Sequence, residues 1–201
     1  DALSPFDIQD GTVNLSLTGS NKLYSAHEEK AGLHVSSTAN LIITENSTGS
    51  LDVRCHKYNG EANARYGVGA GIGGNSYTSQ NVGTITINGG EISAYSYNGA
   101  GIGSGLSASC TLGNITISGG TVSAYTDNGY SIGHGYCSTA KTEESVTITG
   151  GSVYAPKGIS GTLRNNAGDA VELYTLTLSG VSAHTEVTSL NLPDSYTYGV
   201  H

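Results

Sequence analysis

Polar and apolar residues alternate in a series of short segments along this chain. The stretch from Thr84 to Ile87 alternates in this way, and so does the stretch from Glu91 to Tyr95. A period of two residues is the signature of a β-strand with one buried face, and no segment shows a 3.6-residue apolar pattern long enough for a helix. The pattern therefore predicts an all-β protein made of short strands.

These segments belong to a unit of about thirty residues that occurs three times between Gly67 and Pro156. Ile72, Ile102 and Ile132 mark the period, because they follow one another at intervals of 30 residues. A fixed period of this length indicates a solenoid, in which each unit stacks on the next to bury its few apolar residues. Two alternating strands in each unit meet at a glycine-rich corner, and a third strand, such as Gly99–Gly103, follows. The predicted fold is a single-domain parallel β-helix, right-handed because parallel crossovers favour that hand.

The repeats divide the chain into three predicted parts of one domain. Residues 1–66 form irregular N-terminal coils and a cap, residues 67–156 form the regular repeats, and residues 157–201 form a C-terminal coil and a covering segment. Within these parts we expect a strand at Val13–Leu17, a turn at Thr18–Asn21, a loop at 158–169 and a strand at Tyr174–Leu178. The chain does not begin with Met and shows no signal peptide, so we expect a piece of a longer precursor.

Composition narrows the possible partners. The chain has 30 glycines, only 12% charged residues and a formal net charge of −8, which disfavours nucleic acid and anionic membranes. No apolar run approaches the ~18 residues of a membrane span, so membrane insertion is not expected. Abundant Thr, Ser, Asn and Tyr with few Lys favour an extracellular or cell-surface location. Cys110 and Cys137 fall in loops of successive coils, and either a bridge between them or unpaired thiols fits the sequence.

Stacking places equivalent outward side chains in rows along the solenoid, about 4.8 Å apart. If Ile92 and Val122 point inward, one face presents several tyrosines among charged residues. Tyrosine offers a flat apolar ring with a hydroxyl at its edge, which suits the apolar faces and polar rims of sugar rings. We therefore predict a non-catalytic polysaccharide-binding module. Its stacking platforms are Tyr95, Tyr125, Tyr97 and Tyr154, its hydrogen-bonding partners are Arg54, Asp52 and Glu91, and a second possible patch comprises Tyr77, Tyr136 and His134.

Three alternatives to glycan binding stay open. The tyrosines could only stiffen a structural spacer or adhesin stalk. The outward threonines Thr86, Thr116 and Thr147 form a regular row of the kind found on ice-binding surfaces, although polar β-branched residues are also ordinary strand surface. A polysaccharide lyase or hydrolase would need clustered carboxylates, whereas the acids here are mostly isolated, so we expect no enzyme activity.

The repeat sequences, GAGIGG followed by GTITINGGEISAYS, resemble repeats in large surface proteins of anaerobic gut and cellulolytic bacteria. Some of those proteins are described as carbohydrate-binding β-helix domains. The resemblance covers 67–156 and, more loosely, 174–190, and it implies a secreted or cell-surface protein that attaches to polysaccharide beside other modules. Starch-type glucan, cellulose-type glucan, pectin and mucin are all open. Some relatives hold Ca²⁺ through Asp-rich turns, but the corners here are Asn-Gly-Gly, Ser-Gly-Gly and Thr-Gly-Gly, so no cofactor or metal is expected.

Overall fold

The structure, a computed structural model, describes residues 3–55, 67–76, 82–107, 111–137, 145–160 and 162–164. Within these ranges it contains sixteen strands and no helix, and every strand pairing is parallel, which confirms the predicted parallel β-solenoid. The strands are β1 Phe6–Ile8, β2 Gly11–Leu15, β3 Ser20–Tyr24, β4 Leu33–Val35, β5 Ala39–Ile43, β6 Ser50–Arg54, β7 Ile72–Gly73, β8 Thr84–Ile87, β9 Glu91–Ser96, β10 Ile102–Gly103, β11 Ile115–Ile117, β12 Thr121–Thr126, β13 Ile132–Gly133, β14 Ser145–Ile148, β15 Ser152–Tyr154 and β16 Thr162–Arg164.

Each coil of the solenoid contributes one strand to each of three sheets. Coil 1 comprises β1–β3, coil 2 β4–β6, coil 3 β7–β9, coil 4 β10–β12 and coil 5 β13–β15. Sheet A is formed by β1, β4, β7, β10 and β13, sheet B by β2, β5, β8, β11, β14 and β16, and sheet C by β3, β6, β9, β12 and β15. The hand of the solenoid stays a prediction.

The core is a column of stacked aliphatic side chains along the solenoid axis. In sheet C, Leu51, Ile92 and Val122 lie in one register and are buried, and sheet B places Ile85 and Ile115 in the same way. Full burial of one such side chain contributes about 1.5–3 kcal/mol. The apolar residues of each alternating strand therefore determine which positions point into the core, and the core does not constrain the outward positions.

Sheet A differs from the other two sheets because a row of glycines runs through it. Gly73, Gly103 and Gly133 have φ values of 131°, 138° and 118°, a region that favours glycine. A Cβ built on Gly103 would lie 1.9 Å from the carbonyl oxygen of Gly133, so the backbones of neighbouring coils approach too closely for a side chain. The strand is only Ile102–Gly103, shorter than the predicted Gly99–Gly103, since these glycines serve close packing rather than extended pairing.

The two ends of the repeat region depart from the sequence-based expectations. Strand β3 begins at Ser20, inside the predicted turn Thr18–Asn21, because its pairing with β6 continues the register of sheet C. Strand β16 lies inside the predicted loop 158–169, where it takes the position next to β14 in sheet B. The predicted strand Tyr174–Leu178 lies outside the described residues.

Candidate functional site

The outward face of sheet C presents a row of large side chains, one from each of four coils. The register of the strands pairs Tyr24 with Arg54, Arg54 with Tyr95, and Tyr95 with Tyr125. We call these four residues the tyrosine row. Their neighbours along the strands, such as Ala94, are buried in the core, so the row faces away from it.

A second outward row lies two residues earlier on the same strands. This row, which we call the serine row, consists of Lys22, Asp52, Ser93, Ser123 and Tyr154. Its two serines are small and half-buried, whereas its other three members are large or charged. The tyrosine row and the serine row together form the tyrosine face.

Tyrosines of the row lean toward the following coil instead of standing upright on the sheet. The hydroxyl of Tyr24 donates a hydrogen bond to Asp52 of coil 2, and the hydroxyl of Tyr95 donates one to Oδ2 of Asp127 in coil 4, at 3.2 Å. The ring of Tyr125 meets the ring of Tyr154 in coil 5 at 5.4 Å between centroids and an interplanar angle of 61°. Each of these three side chains is therefore held by a contact with the next coil.

A compact ionic group closes the tyrosine row in coils 1 and 2. Nε and Nη2 of Arg54 donate to the two carboxylate oxygens of Asp52, both at 2.9 Å, and Cζ of Arg54 lies 5.2 Å from the ring centroid of Tyr24. Burial alone would raise the pKa of Asp52, but hydrogen bonds from Arg54 and Tyr24 outweigh it and hold this pKa below its usual value. The hydrogen bond to Asp52 in turn raises the pKa of Tyr24. Asp52 is thus an ionised acceptor whose charge is already neutralised by a neighbour.

Tyr95, in the middle of the tyrosine row, keeps its hydroxyl protonated. Partial burial raises the pKa of Tyr95, and the negative charge of Asp127 and the hydrogen bond to it raise it further. The phenol therefore stays a donor to Asp127 over the whole physiological pH range. This contact fixes the position of the ring in the face.

Buried hydroxyls fix the turn that follows the tyrosine row. Oγ of Ser96 donates to the carbonyl of Gly69 at 2.6 Å and accepts from the amide of Gly99 at 2.9 Å. One coil later Oγ1 of Thr126 makes the equivalent contacts with Gly99, at 2.7 Å, and Gly129, at 3.1 Å. Tyr97 and Asp127 sit directly after these anchored positions, so the edge of the face is held by the backbone of the preceding coil. Sequence reasoning missed this role, although a Ser or Thr two residues after Ala94 and Ala124 was a visible signal.

The structure brings most of the predicted site residues onto one face. Arg54, Asp52, Tyr95, Tyr125 and Tyr154 belong to its two rows, and Tyr97, which follows the end of β9, is half-buried beside it. Glu91 is exposed at the start of β9, on the same side of the strand as Tyr95 but about 13 Å from it. Within the described part of the chain, it joins neither Asp52 nor Arg54 through a hydrogen bond or an ion pair.

The predicted second patch is not formed as expected. The side chain of His134 is 0% exposed, and its Nδ1 lies 2.8 Å from Oγ of Ser160, so it cannot meet a ligand at the surface. His134 lies two residues after the buried Ile132, so alternation itself places its side chain on the inward side, like that of Ser104 one coil earlier. Tyr136 is 59% exposed, and Tyr77 lies outside the described residues.

Two members of the face were missed in the sequence. Tyr24 and Lys22 lie 30 residues before Arg54 and Asp52, the same interval that separates Tyr95 from Tyr125. The interval was hidden because coil 2 and coil 3 are offset by 41 residues at this position, from Arg54 to Tyr95. The SNKLY segment alternates like SLDVR of β6, and this was the signal that could have identified it.

Within the described ranges no group of three or more His, Cys, Asp or Glu side chains could hold a metal ion. The same ranges contain no helix long and apolar enough to cross a membrane. Cys110, one partner of the possible bridge, lies outside the described residues, while Cys55 is buried with its Sγ 3.2 Å from the carbonyl oxygen of Glu28.

Comparison with known proteins finds similarity in the repeats alone. No match was found among curated proteins, and none among solved structures. Residues 85–106 and 115–136 match the family described as Beta helix repeat. Each matched segment runs from a strand of sheet B through sheet C into sheet A, and the two segments include Tyr95 and Tyr125. The two matched segments, together with the parallel sheets, support a repeat-containing β-helix protein.

Proposed function

We propose that the tyrosine face binds polysaccharide without cleaving it. The observation behind this proposal is the tyrosine row, in which Tyr24, Tyr95 and Tyr125 lie in one line on the outward side of sheet C. Tyr24 is 46% exposed and Tyr125 36% exposed, so side-chain surface is open at both ends of the row. Such rings offer dispersion contacts to the C–H faces of sugars, and the hydroxyls and charged groups beside them offer hydrogen bonds.

The charged groups on the face favour binding over catalysis. Asp52 is held ionised by Arg54 and Tyr24, whereas a general acid must be protonated when the reaction begins. Asp127 accepts from the hydroxyl of Tyr95, which suits a positioning role. We therefore infer a binding module of a secreted or cell-surface protein, with its catalytic or anchoring functions in other parts of the precursor or complex.

Retention on insoluble polysaccharide tests the proposal. The protein is incubated with starch, cellulose, pectin and mucin, and any retained pairing is then titrated by calorimetry with soluble oligosaccharides. We expect retention on at least one polymer and a loss of about tenfold in affinity in Tyr95→Ala and in Tyr125→Ala, since each removes one stacking platform. Release of reducing or unsaturated sugar ends would contradict the non-catalytic part of the proposal.

Tyr130→Ala is a matched control for the tyrosine variants. Tyr130 is 37% exposed, close to the value for Tyr125, but it lies at the entry to sheet A. Its amide bonds to the carbonyl of His134 as the amide of Ala100 bonds to that of Ser104, so alanine is the native residue one coil earlier. The control should keep both stability and affinity. Absence of retention on all four polymers would overturn the proposal and favour a structural spacer.

A further inference from the structure

We propose that the glycan is a neutral one and that its chain runs along the solenoid axis, across the strands. This inference rests on the proposed function of the tyrosine face. It follows from the direction of the tyrosine row, the space beside it and the charges that border it.

The proposed direction of the glycan chain follows from the positions of the planar side chains in the tyrosine row. Along the axis, Arg54, Tyr95 and Tyr125 follow one another on adjacent strands, at steps of about 4.8 Å. Along β9, by contrast, the same-face neighbours of Tyr95 are Ser93 and Glu91, and Tyr97 follows just after the end of the strand. A glycan laid along the axis therefore meets a planar group in each of coils 1 to 4, whereas one laid along β9 meets two rings, Tyr95 and Tyr97.

The serine row supplies the space beside the rings. Ser93 and Ser123 are half-buried and small, so they take up little of the space beside Tyr95 and Tyr125 and offer hydroxyls to a ligand. The opening ends in coil 5, where Tyr154 occupies the same row and packs edge-on against Tyr125. The free length thus runs along the axis as well.

The charges of the face favour a neutral ligand over one with carboxylates. The guanidinium of Arg54 already donates to both oxygens of Asp52, so its positive charge is not available to a uronic acid. Asp127 accepts a hydrogen bond from Tyr95, Glu91 lies at the start of β9, and the remaining cation, Lys22, lies at the far end in coil 1. The face and these two bordering carboxylates carry three negative charges against two positive ones, and the whole chain carries a formal charge of −8. A uronic acid polymer would meet repulsion from Asp127 beside Tyr95, with Lys22 two coils away.

Titration calorimetry with neutral and uronic acid oligosaccharides of equal length tests the charge, and a blocking variant tests the path. Ser123→Tyr introduces a ring into the open part of the serine row, and the fold should tolerate it because Tyr154 occupies this row in the next coil. We expect neutral oligosaccharides to bind at least about tenfold more tightly than uronic ones, and Ser123→Tyr to weaken binding by at least about tenfold. The matched control, Thr116→Tyr, introduces the same ring at a half-buried outward position of sheet B and should change affinity less than about twofold.

The possible failures are distinguishable. If Tyr95→Ala weakens binding but Ser123→Tyr does not, the tyrosine face binds glycan and the path along the serine row is wrong. If uronic acid oligosaccharides bind more tightly than neutral ones, the inferred ligand class is wrong although the site stands. If the unmodified protein binds neither class, the proposed function fails, and this inference with it.

Discussion

Sheets A and C are built by the same coils, yet they use their outward positions in opposite ways. In sheet A the outward row is Gly73, Gly103 and Gly133, where a Cβ would collide with the backbone of the next coil at Gly73 and Gly103 and with the side chain of Ser160 at Gly133. In sheet C the outward positions are occupied by tyrosines, an arginine and carboxylates. Sheet A therefore determines how closely the coils stack, and sheet C can vary its outward residues without disturbing that stacking. A solenoid separates the residues that fold it from the residues that can bind.

The largest effect is expected from adding a methyl group in sheet A. Gly103→Ala would place its Cβ 1.9 Å from the carbonyl oxygen of Gly133 at a φ of 138°, so we expect a loss of at least about 3 kcal/mol in unfolding free energy. Gly19→Ala is the control, because Gly19 also has a positive φ, 64°, but nothing within 4 Å of its Cβ position, and it should lose about 1–2 kcal/mol. Urea unfolding measures both. Equal losses would show that the close approach of coils in sheet A does not constrain the fold.

A smaller loss is expected from removing a buried hydroxyl at the edge of sheet C. Ser96→Ala leaves the carbonyl of Gly69 and the amide of Gly99 without this partner, at a cost of about 1–3 kcal/mol. Cys55 precedes Ser96 by one coil in the same inward row, since its amide bonds to the carbonyl of Tyr95. Cys55→Ser should therefore be nearly neutral in the same urea experiment. A stable Ser96→Ala protein would mean that the turn after the tyrosine row is held by other contacts.

Removing the hydroxyl of Tyr95 separates the contribution of its ring from that of its hydrogen bond. Tyr95→Phe keeps the ring but removes the contact with Asp127, so we expect affinity for the retained glycan to fall by less than about threefold, against about tenfold for Tyr95→Ala. Calorimetry on both variants gives the comparison. Equal losses would indicate that the hydroxyl, rather than the flat ring, is the group that the glycan requires.

The smallest effect concerns the ionic group at the end of the tyrosine row. Because the pKa of Asp52 is lower in the folded protein than its ordinary value of 3.8, its stabilising contribution is present above that pH and disappears as the pH falls through the folded-state pKa. Asp52→Asn should lower the unfolding free energy at pH 7 by no more than about 1 kcal/mol, since Arg54 is half exposed. Thermal unfolding from pH 7 down to about pH 1 measures this difference as the carboxylate becomes protonated. A difference that persists at the lowest pH would show that it does not come from the carboxylate charge.

The repeat period and the alternation were sufficient to predict the parallel solenoid and the common register of Arg54, Tyr95 and Tyr125. They did not reveal the burial of His134 beside sheet A, since a strand of two residues shows too little alternation to mark its inward side. They also missed Tyr24, because Thr18–Asn21 contains turn-forming residues that pairing with β6 partly draws into a strand. Local sequence signals failed where pairing between distant coils decides the conformation.

The contacts of the tyrosine hydroxyls were equally beyond the sequence. Alternation predicts that Tyr95 faces outward, but not that its hydroxyl bonds to Asp127, 32 residues away. The same holds for Tyr24 and Asp52, which are separated by 28 residues. These contacts join side chains of neighbouring coils, which no local pattern pairs.

Retention on insoluble polysaccharide tests most directly whether the tyrosine face binds glycan. It is measured for the unmodified chain, the double variant Tyr95→Ala/Tyr125→Ala and the control Tyr130→Ala. Circular dichroism of all three first establishes that the solenoid is intact. If the tyrosine face binds the glycan, the unmodified protein and the control are retained on the same polymer and the double variant is not. Equal retention of the double variant would contradict the assignment of binding to the tyrosine face, and its tyrosines would then serve only the architecture of sheet C.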